Sequence, residues 1–232
     1  ITKQKVKMEK INILENYISK ETCEFIINSL DPYTETTPRE NIKTFSIWDA
    51  DNVHKIRPSI KPARPKLDSP NANIAVDFLT LLCVNFANTI SEYYNDEYII
   101  KRLFFNIMLP GSQNILHMDN FYLNDDTKIL QPRPQADYDK SGLLYLNDDY
   151  EGGLLNFPVQ KKSLKPKPGT FLFFEGDADV PHEVKKIESG RRINLVTFYT
   201  LKKDHESQMG ITLTDGPEQQ ITESYLNNSN LL

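Results

Sequence analysis

The stretch ILHMDN, residues 115–120, sets a histidine and an aspartate one residue apart in a run that is otherwise mostly apolar. An imidazole nitrogen and a carboxylate oxygen are both good metal ligands. Residues i and i+2 of a β-strand share a face, so a strand here would project His117 and Asp119 together, with Met118 on the opposite side. Two ligands do not make a site. A His-x-Asp pair also arises by chance, and an ordinary strand histidine would look the same.

A third ligand must come from elsewhere in the chain. There are four histidines, His54, His117, His182 and His205. His54 falls in a proline-rich stretch and His205 in a polar tail. His182 sits in DADVPHEV, directly after the apolar run TFLFF. Taken alone, a histidine after a proline reads as a surface-loop residue. In a jelly roll, though, strands far apart in sequence become neighbours at one mouth of the barrel. His117, Asp119 and His182 would then supply two imidazoles and one carboxylate on one face of a metal, the donor set of non-haem Fe(II) oxygenases. Zinc more usually takes four protein ligands, or three and a water. A fourth feature strengthens the set. In ESGRRINLVTFYT (188–200), Arg192 opens an otherwise apolar strand. An inward guanidinium there requires an anion to meet it, whereas Arg191, pointing the other way, suits the surface.

The elements that must position these residues are legible in outline. INILENYISKETCEFIINSL (11–30) reads as a short strand and then a helix capped by Ser19, with Cys23, Ile26, Ile27 and Leu30 as its apolar stripe. Residues 31–70 carry six prolines and the single tryptophan, Trp48. TFSIWDA (44–50) has the composition of a strand. The remainder suits either a surface crossover or a lid over a groove, with Trp48 as an apolar substrate contact. Ser69 and Pro70 then start a long helix whose stripe is read as Ile74, Phe78, Leu82, Phe86 and Ile90. From residue 99 the period switches to two, with Leu103, Phe105, Ile107 and Leu109 alternating before a Pro110–Gly111 turn. ILHMDN, LLYLN (143–147), LLNFPV (154–159), TFLFF (170–174) and INLVTFYTL (193–201) follow as short strands. This pattern predicts a mainly β sandwich or jelly roll with supporting helices, not βαβ units.

Composition bounds the function. The 232 residues are 39% hydrophobic, enough for one sizeable core. The net charge of −5, with Lys and Arg dispersed, argues against a general nucleic-acid binder. Cys23 and Cys83 fall inside expected helices and read as small buried hydrophobes, not as a zinc site or a disulfide. No apolar run is read as a membrane span, and no apolar segment follows the basic start ITKQKVKMEK as it would in a signal peptide. The expectation is a cytoplasmic protein with no membrane attachment. The first residue is not Met, so a longer gene product is expected. One domain is expected over 1–201, with its core at about 99–200, followed by a polar tail over 202–232.

Several segments, in a fixed order, carry a resemblance. LPG, HMDN, LLYLNDDYEGGLLNFP, KPKPGTFLFF, VPHEV and GRRINLVTFY together resemble the catalytic core of the Fe(II)- and 2-oxoglutarate-dependent dioxygenases, and among them the prolyl 4-hydroxylase group that includes the oxygen-sensing prolyl hydroxylases. The resemblance implies a double-stranded β-helix, a distorted jelly roll. It implies His117, Asp119 and His182 as the iron ligands, with no catalytic residue beyond the metal centre. It implies Arg192 and Tyr145 as partners of the distal carboxylate of 2-oxoglutarate. It implies Fe(II) as cofactor and 2-oxoglutarate and O2 as cosubstrates, and it admits ascorbate. The implied reaction hydroxylates a prolyl residue in a protein or peptide and releases succinate and CO2. Gly152 and Gly153 are expected at a turn or a close backbone approach. The chain departs from the group at Leu109, Asn114 and Phe198, where the group often has Tyr, Tyr and Trp, and it carries a long segment between Asp119 and Tyr145 that includes QPRPQADYDKSG (131–142). Two other readings compete: an oxygenase of a free amino acid or other small molecule, and a non-catalytic jelly-roll binding module.

Overall fold

The structure is a computed structural model; it describes residues 9–38, 41–49, 67–123, 130–132 and 138–202, with the backbone alone for 48, 49, 122, 123 and 130–132. In chain order its elements are β1 (Ile11–Leu14), α1 (Lys20–Leu30), β2 (Glu35–Thr36), β3 (Ile42–Asp49), α2 (Pro70–Tyr94), β4 (Tyr98–Met108), β5 (Asn114–His117), β6 (Phe121–Leu123), β7 (Leu130–Pro132), β8 (Lys140–Tyr145), β9 (Tyr150–Gly152), β10 (Leu155–Phe157), β11 (Lys162–Leu164), β12 (Phe171–Glu175), β13 (His182–Val184), β14 (Ile187–Gly190) and β15 (Arg192–Leu201).

Both helices start where their caps direct. Ser19 Oγ accepts from the Thr22 amide at 3.1 Å, and Ser69 Oγ accepts from the Ala72 amide at 3.4 Å, with Pro70 at the first position of α2. Asn95, at φ 54°, ends α2 in the left-handed region that asparagine tolerates. The stripe expected along α2 is corrected at its start. Phe86 and Ile90 are fully buried, but Ile74 is 50% exposed, and Ala72, Ala75, Val76, Leu79 and Cys83 take the inner face. A strict four-residue spacing overshoots the 3.6-residue turn by roughly 40° per step, so a stripe that is buried at Phe86 and Ile90 has rotated out of the core when it is traced back to Ile74. By length and composition α2 is apolar enough to cross a membrane, contrary to the expectation of no such run. Its inner face packs into the core instead: Cys83 and Phe86 lie at zero exposure, and Phe86 stacks on Phe171 with ring centroids 3.7 Å apart.

Seven strands form the larger sheet, in the order β1-β12-β8-β15-β4-β3-β2, and four form the smaller one, β11-β10-β13-β5. Their facing arrangement is the double-stranded β-helix the motifs imply. One core lies between the larger sheet and the helices, the other between the sheets. The run FLFF follows from this position. Phe171 and Phe173 pack toward the helices, while Leu172 and Phe174 pack between the sheets, so both faces of β12 are apolar and no alternation survives. β15 differs. Its Ile193, Leu195 and Tyr199 join the helix-side core, and the alternate residues Arg192, Asn194, Val196 and Phe198 line a cavity.

Gly152 and Gly153 occupy positive φ, 74° and 62°, where the chain leaves β9. A Cβ on Gly152 would lie 2.2 Å from the Lys186 carbonyl oxygen, so this is a close backbone approach that only glycine permits. Cys23 and Cys83 are buried and unpaired by disulfide, as expected. Residues 50–66, which hold His54 and three of the six prolines of the proline-rich stretch, lie outside the described residues, as do residues 203–232 with His205. Trp48 lies on β3 with its backbone opposite Leu103; its side chain is outside what is described.

Candidate metal centre

β13 runs antiparallel to β5 with His182 directly opposite His117, which is how two histidines distant in sequence meet. Their rings lie 4.4 Å apart, centroid to centroid. Asp119 completes the group by a route the sequence reading did not anticipate. β5 ends at His117, and Asp119 sits in the bend beyond it, not on the same strand face. The cause is Asn120. Its backbone amide donates to the Gly176 carbonyl at 3.1 Å, its side-chain carbonyl accepts from the Tyr138 amide at 2.8 Å, and its Nδ2 donates to the Tyr138 carbonyl. These bonds draw the chain out of the ladder and turn Asp119 back toward the histidines.

The result is a set of three donor atoms, all within 4.8 Å of one another. His117 Nε2 lies 3.7 Å from Asp119 Oδ1, and His182 Nε2 lies 3.8 Å from Asp119 Oδ2. Each imidazole is oriented from behind. His117 Nδ1 meets the Ile115 carbonyl at 2.7 Å, and His182 Nδ1 meets the Val180 carbonyl at 3.2 Å. A carbonyl oxygen can only accept, so both Nδ1 atoms carry the proton and both Nε2 lone pairs point to the common centre. Ser141 Oγ donates to Asp119 Oδ2 and holds the carboxylate. Burial lowers the His182 pKa, an effect opposed by Asp119, and so favours the neutral ring that a metal requires. Two imidazoles and one carboxylate are the donor set that would hold Fe(II), and these three residues would supply it.

The same cavity, of about 440 Å³, is lined by all three of these residues and by Arg192. Arg192 is 2% exposed. Its Nη2 donates to the Tyr145 hydroxyl at 2.5 Å and its Nη1 to Asn194 Oδ1 at 3.0 Å. Among the described residues no carboxylate pairs with it, its Nε–H has no partner, and the buried Tyr150 hydroxyl lies beside it. Arg191 instead reaches the surface and pairs with Asp31 at 2.5 Å. Burial raises the pKa of Tyr145, with Arg192 opposing, and pushes Tyr150 up to about 12, so both phenols keep their protons at neutral pH. A buried guanidinium with an unused N–H, beside phenols that can donate, is a cradle for an anion, and a carboxylate fits it. The residues present therefore fit both groups that the motifs imply, Fe(II) and 2-oxoglutarate.

The structure thus brings His117, Asp119, His182, Arg192 and Tyr145 into one region. Ser141, Asn106 and Asn194 were not singled out from sequence. Asn194 was detectable, being a polar residue in phase with Arg192 on an apolar strand. Phe198, noted as a departure, lines the cavity and stacks on Tyr138 with centroids 4.4 Å apart.

Comparison with known proteins agrees with this geometry. Residues 103–200 match the 2OG-Fe(II) oxygenase superfamily. Prolyl 3-hydroxylase 3 of Mus musculus is 38% identical over 103 residues, which is 40% of this chain and 14% of that protein, so the chain spans a small part of the curated relative's length. Among solved structures, the viral collagen prolyl hydroxylase of Paramecium Bursaria Chlorella virus-1, in its 2OG complex, superposes with a TM-score of 0.55 at 18% identity, covering 82% of this chain and 95% of that one. HygX of Streptomyces hygroscopicus, with nickel, 2-oxoglutarate and hygromycin B bound, gives 0.56 at 13% identity, covering 84% of each. At these identities the two structures establish the shared fold.

Proposed function

We propose, from the match of residues 103–200 to the 2OG-Fe(II) oxygenase superfamily, that this chain hydroxylates prolyl residues in a protein or peptide. The observation that carries the reading is the single cavity lined by both the His117–Asp119–His182 group and Arg192. The two groups are set at separate points along one strand. Ser141, which holds Asp119, and Tyr145, which meets Arg192, lie four residues apart on β8, about 13 Å along the strand before their side chains reach inward.

In this reading the two Nε2 atoms and Asp119 hold Fe(II), while Arg192 and Tyr145 bind the distal carboxylate of 2-oxoglutarate. Fe(II) with 2-oxoglutarate and O2 supplies the oxidation of a substrate C–H bond to C–OH, with succinate and CO2 as co-products. The protein's own residues orient and shield. The carbonyls of Ile115 and Val180 fix the imidazole tautomers, Ser141 fixes the carboxylate, and the apolar walls Leu143, Leu155, Phe174 and Val196 keep water away. His117, with a side chain 26% exposed against 8% for His182, marks the open side where substrate enters.

The prolyl substrate is supported by the sequence relative, a prolyl 3-hydroxylase, and by the YLN…GG…FP block. HygX, solved with hygromycin B bound, supports a second reading, oxidation of a small molecule on the same fold. One experiment separates them. The protein is incubated with Fe(II), 2-oxoglutarate, ascorbate and a library of proline-containing peptides, and products are read by mass spectrometry, with NMR assigning C3 or C4. One oxygen added at proline, with matching succinate, is expected. Oxidation of free proline or another small molecule, with every peptide untouched, overturns the peptide reading.

A further inference from the structure

Position 194 is inward-facing on a strand whose next inward residue is Val196, yet it is an asparagine at zero exposure. A buried amide is unfavourable unless bonded, so its bonds indicate its role. Asn194 Oδ1 accepts from Arg192 Nη1 at 3.0 Å and from Asn106 Nδ2 at 3.3 Å. Asn106 is its direct cross-strand partner on β4 and is 7% exposed. Met108 Sδ, 3.5 Å from the same Nη1, is the only other partner on that side of the guanidinium among the described residues. Nη1 is therefore engaged by the protein, and Nη2 gives one hydrogen to Tyr145. What remains is the Nε–H and a second hydrogen on Nη2, and the Nε/Nη2 edge of a guanidinium matches the two oxygens of a carboxylate.

We propose that Asn194, held by Asn106, is a positioning residue that turns the Nε/Nη2 edge of Arg192 toward the distal carboxylate and so sets the preference for a 2-oxo diacid over a 2-oxo monoacid. The proposal rests on the functional reading above. Asn106 acts only through Asn194, so the two should not be independent.

The test uses Mn(II)-loaded protein, which binds without turnover, and titrates 2-oxoglutarate and, separately, pyruvate, which lacks a distal carboxylate. Asn194→Leu should weaken 2-oxoglutarate about tenfold or more, the loss expected of one hydrogen bond to a charged group, while Mn(II) and pyruvate bind as in the wild type. Asn106→Leu should weaken it less, and the double variant should be no worse than Asn194→Leu. Asn194→Asp keeps shape and volume, so it reports even if the leucine variant folds poorly. Its carboxylate would pair with Arg192 and abolish 2-oxoglutarate binding. Wild-type affinity in Asn194→Leu or in Asn194→Asp overturns the proposal, as does additive loss in the double variant or an equal loss of pyruvate. If the wild type itself takes up no 2-oxoglutarate, the functional reading falls and this inference with it; if only the variants disappoint, the functional reading stands.

Discussion

His182 on β13 and His117 on β5 are direct partners across an antiparallel ladder, and this one register brings two imidazoles together from distant parts of the chain. The register shifts immediately after it, between His182 and Val184. A slip of one residue would put the two imidazoles on opposite faces of the sheet. The site therefore depends on sheet pairing as much as on residue identity.

Removing His182 should abolish turnover. His182→Ala leaves two donors, and loss of a supporting contact alone costs about 10–100-fold in metal affinity. Loss of a ligand should exceed the upper end of that range, read by Mn(II) titration. Stoichiometric metal and full activity in this variant would refute the ligand assignment.

Ser141→Ala is the milder case. Ser141 donates to Asp119 Oδ2, so its removal frees the carboxylate to rotate without removing a ligand. Metal affinity should fall about 10–100-fold, with the fold intact by circular dichroism. Unchanged affinity would mean that Asp119 is held adequately by the bend at Asn120.

Arg192→Ala and Arg191→Ala should separate cleanly. Arg192 is buried beside Tyr145, and Arg191 pairs with Asp31 at the surface. Losing a buried charge-assisted contact should weaken 2-oxoglutarate by about 2–5 kcal/mol, whereas the exposed pair contributes at most about 1 kcal/mol to stability and nothing to the cavity. Loss of 2-oxoglutarate affinity in Arg191→Ala would mean that the strand register is wrong.

The grouping of His117, Asp119 and His182, with Arg192 in the same cavity, was legible because it rests on rare residue types in a short-range pattern. Histidines are few, and an arginine in phase with an apolar strand is conspicuous. What stayed hidden depends on tertiary contacts. Nothing local states that Asn120 will bond to Tyr138 and end β5 at His117, so alternation gave the right neighbours for Asp119 by the wrong geometry. Ser141 and Asn106 are unremarkable in sequence and acquire a role only from the strands they face. The α2 stripe was misread at Ile74 because a four-residue spacing imitates a helical face over two turns and fails over five.

The two faces of β12 give the last prediction. Phe86 on α2 is fully buried, stacks on Phe171 and lies 4.9 Å from the Tyr17 ring, all on the helix side of the larger sheet. Phe174, two strand positions beyond Leu172 on the opposite face, lines the cavity and lies 4.7 Å from the His182 ring. Phe86→Ala opens a hole among aromatic rings that cannot readily collapse, and should destabilise the protein by about 3–5 kcal/mol in urea unfolding. The sheet separates that hole from the metal centre. At temperatures where the variant remains folded, Mn(II) and 2-oxoglutarate should therefore bind as in the wild type. Phe174→Ala should do the reverse in proportion, since it removes the ring that packs on His182: metal affinity should fall along with stability. If Phe86→Ala weakens metal binding as much as Phe174→Ala does, the helix layer and the metal centre are coupled through β12, and the sheet does not insulate one from the other.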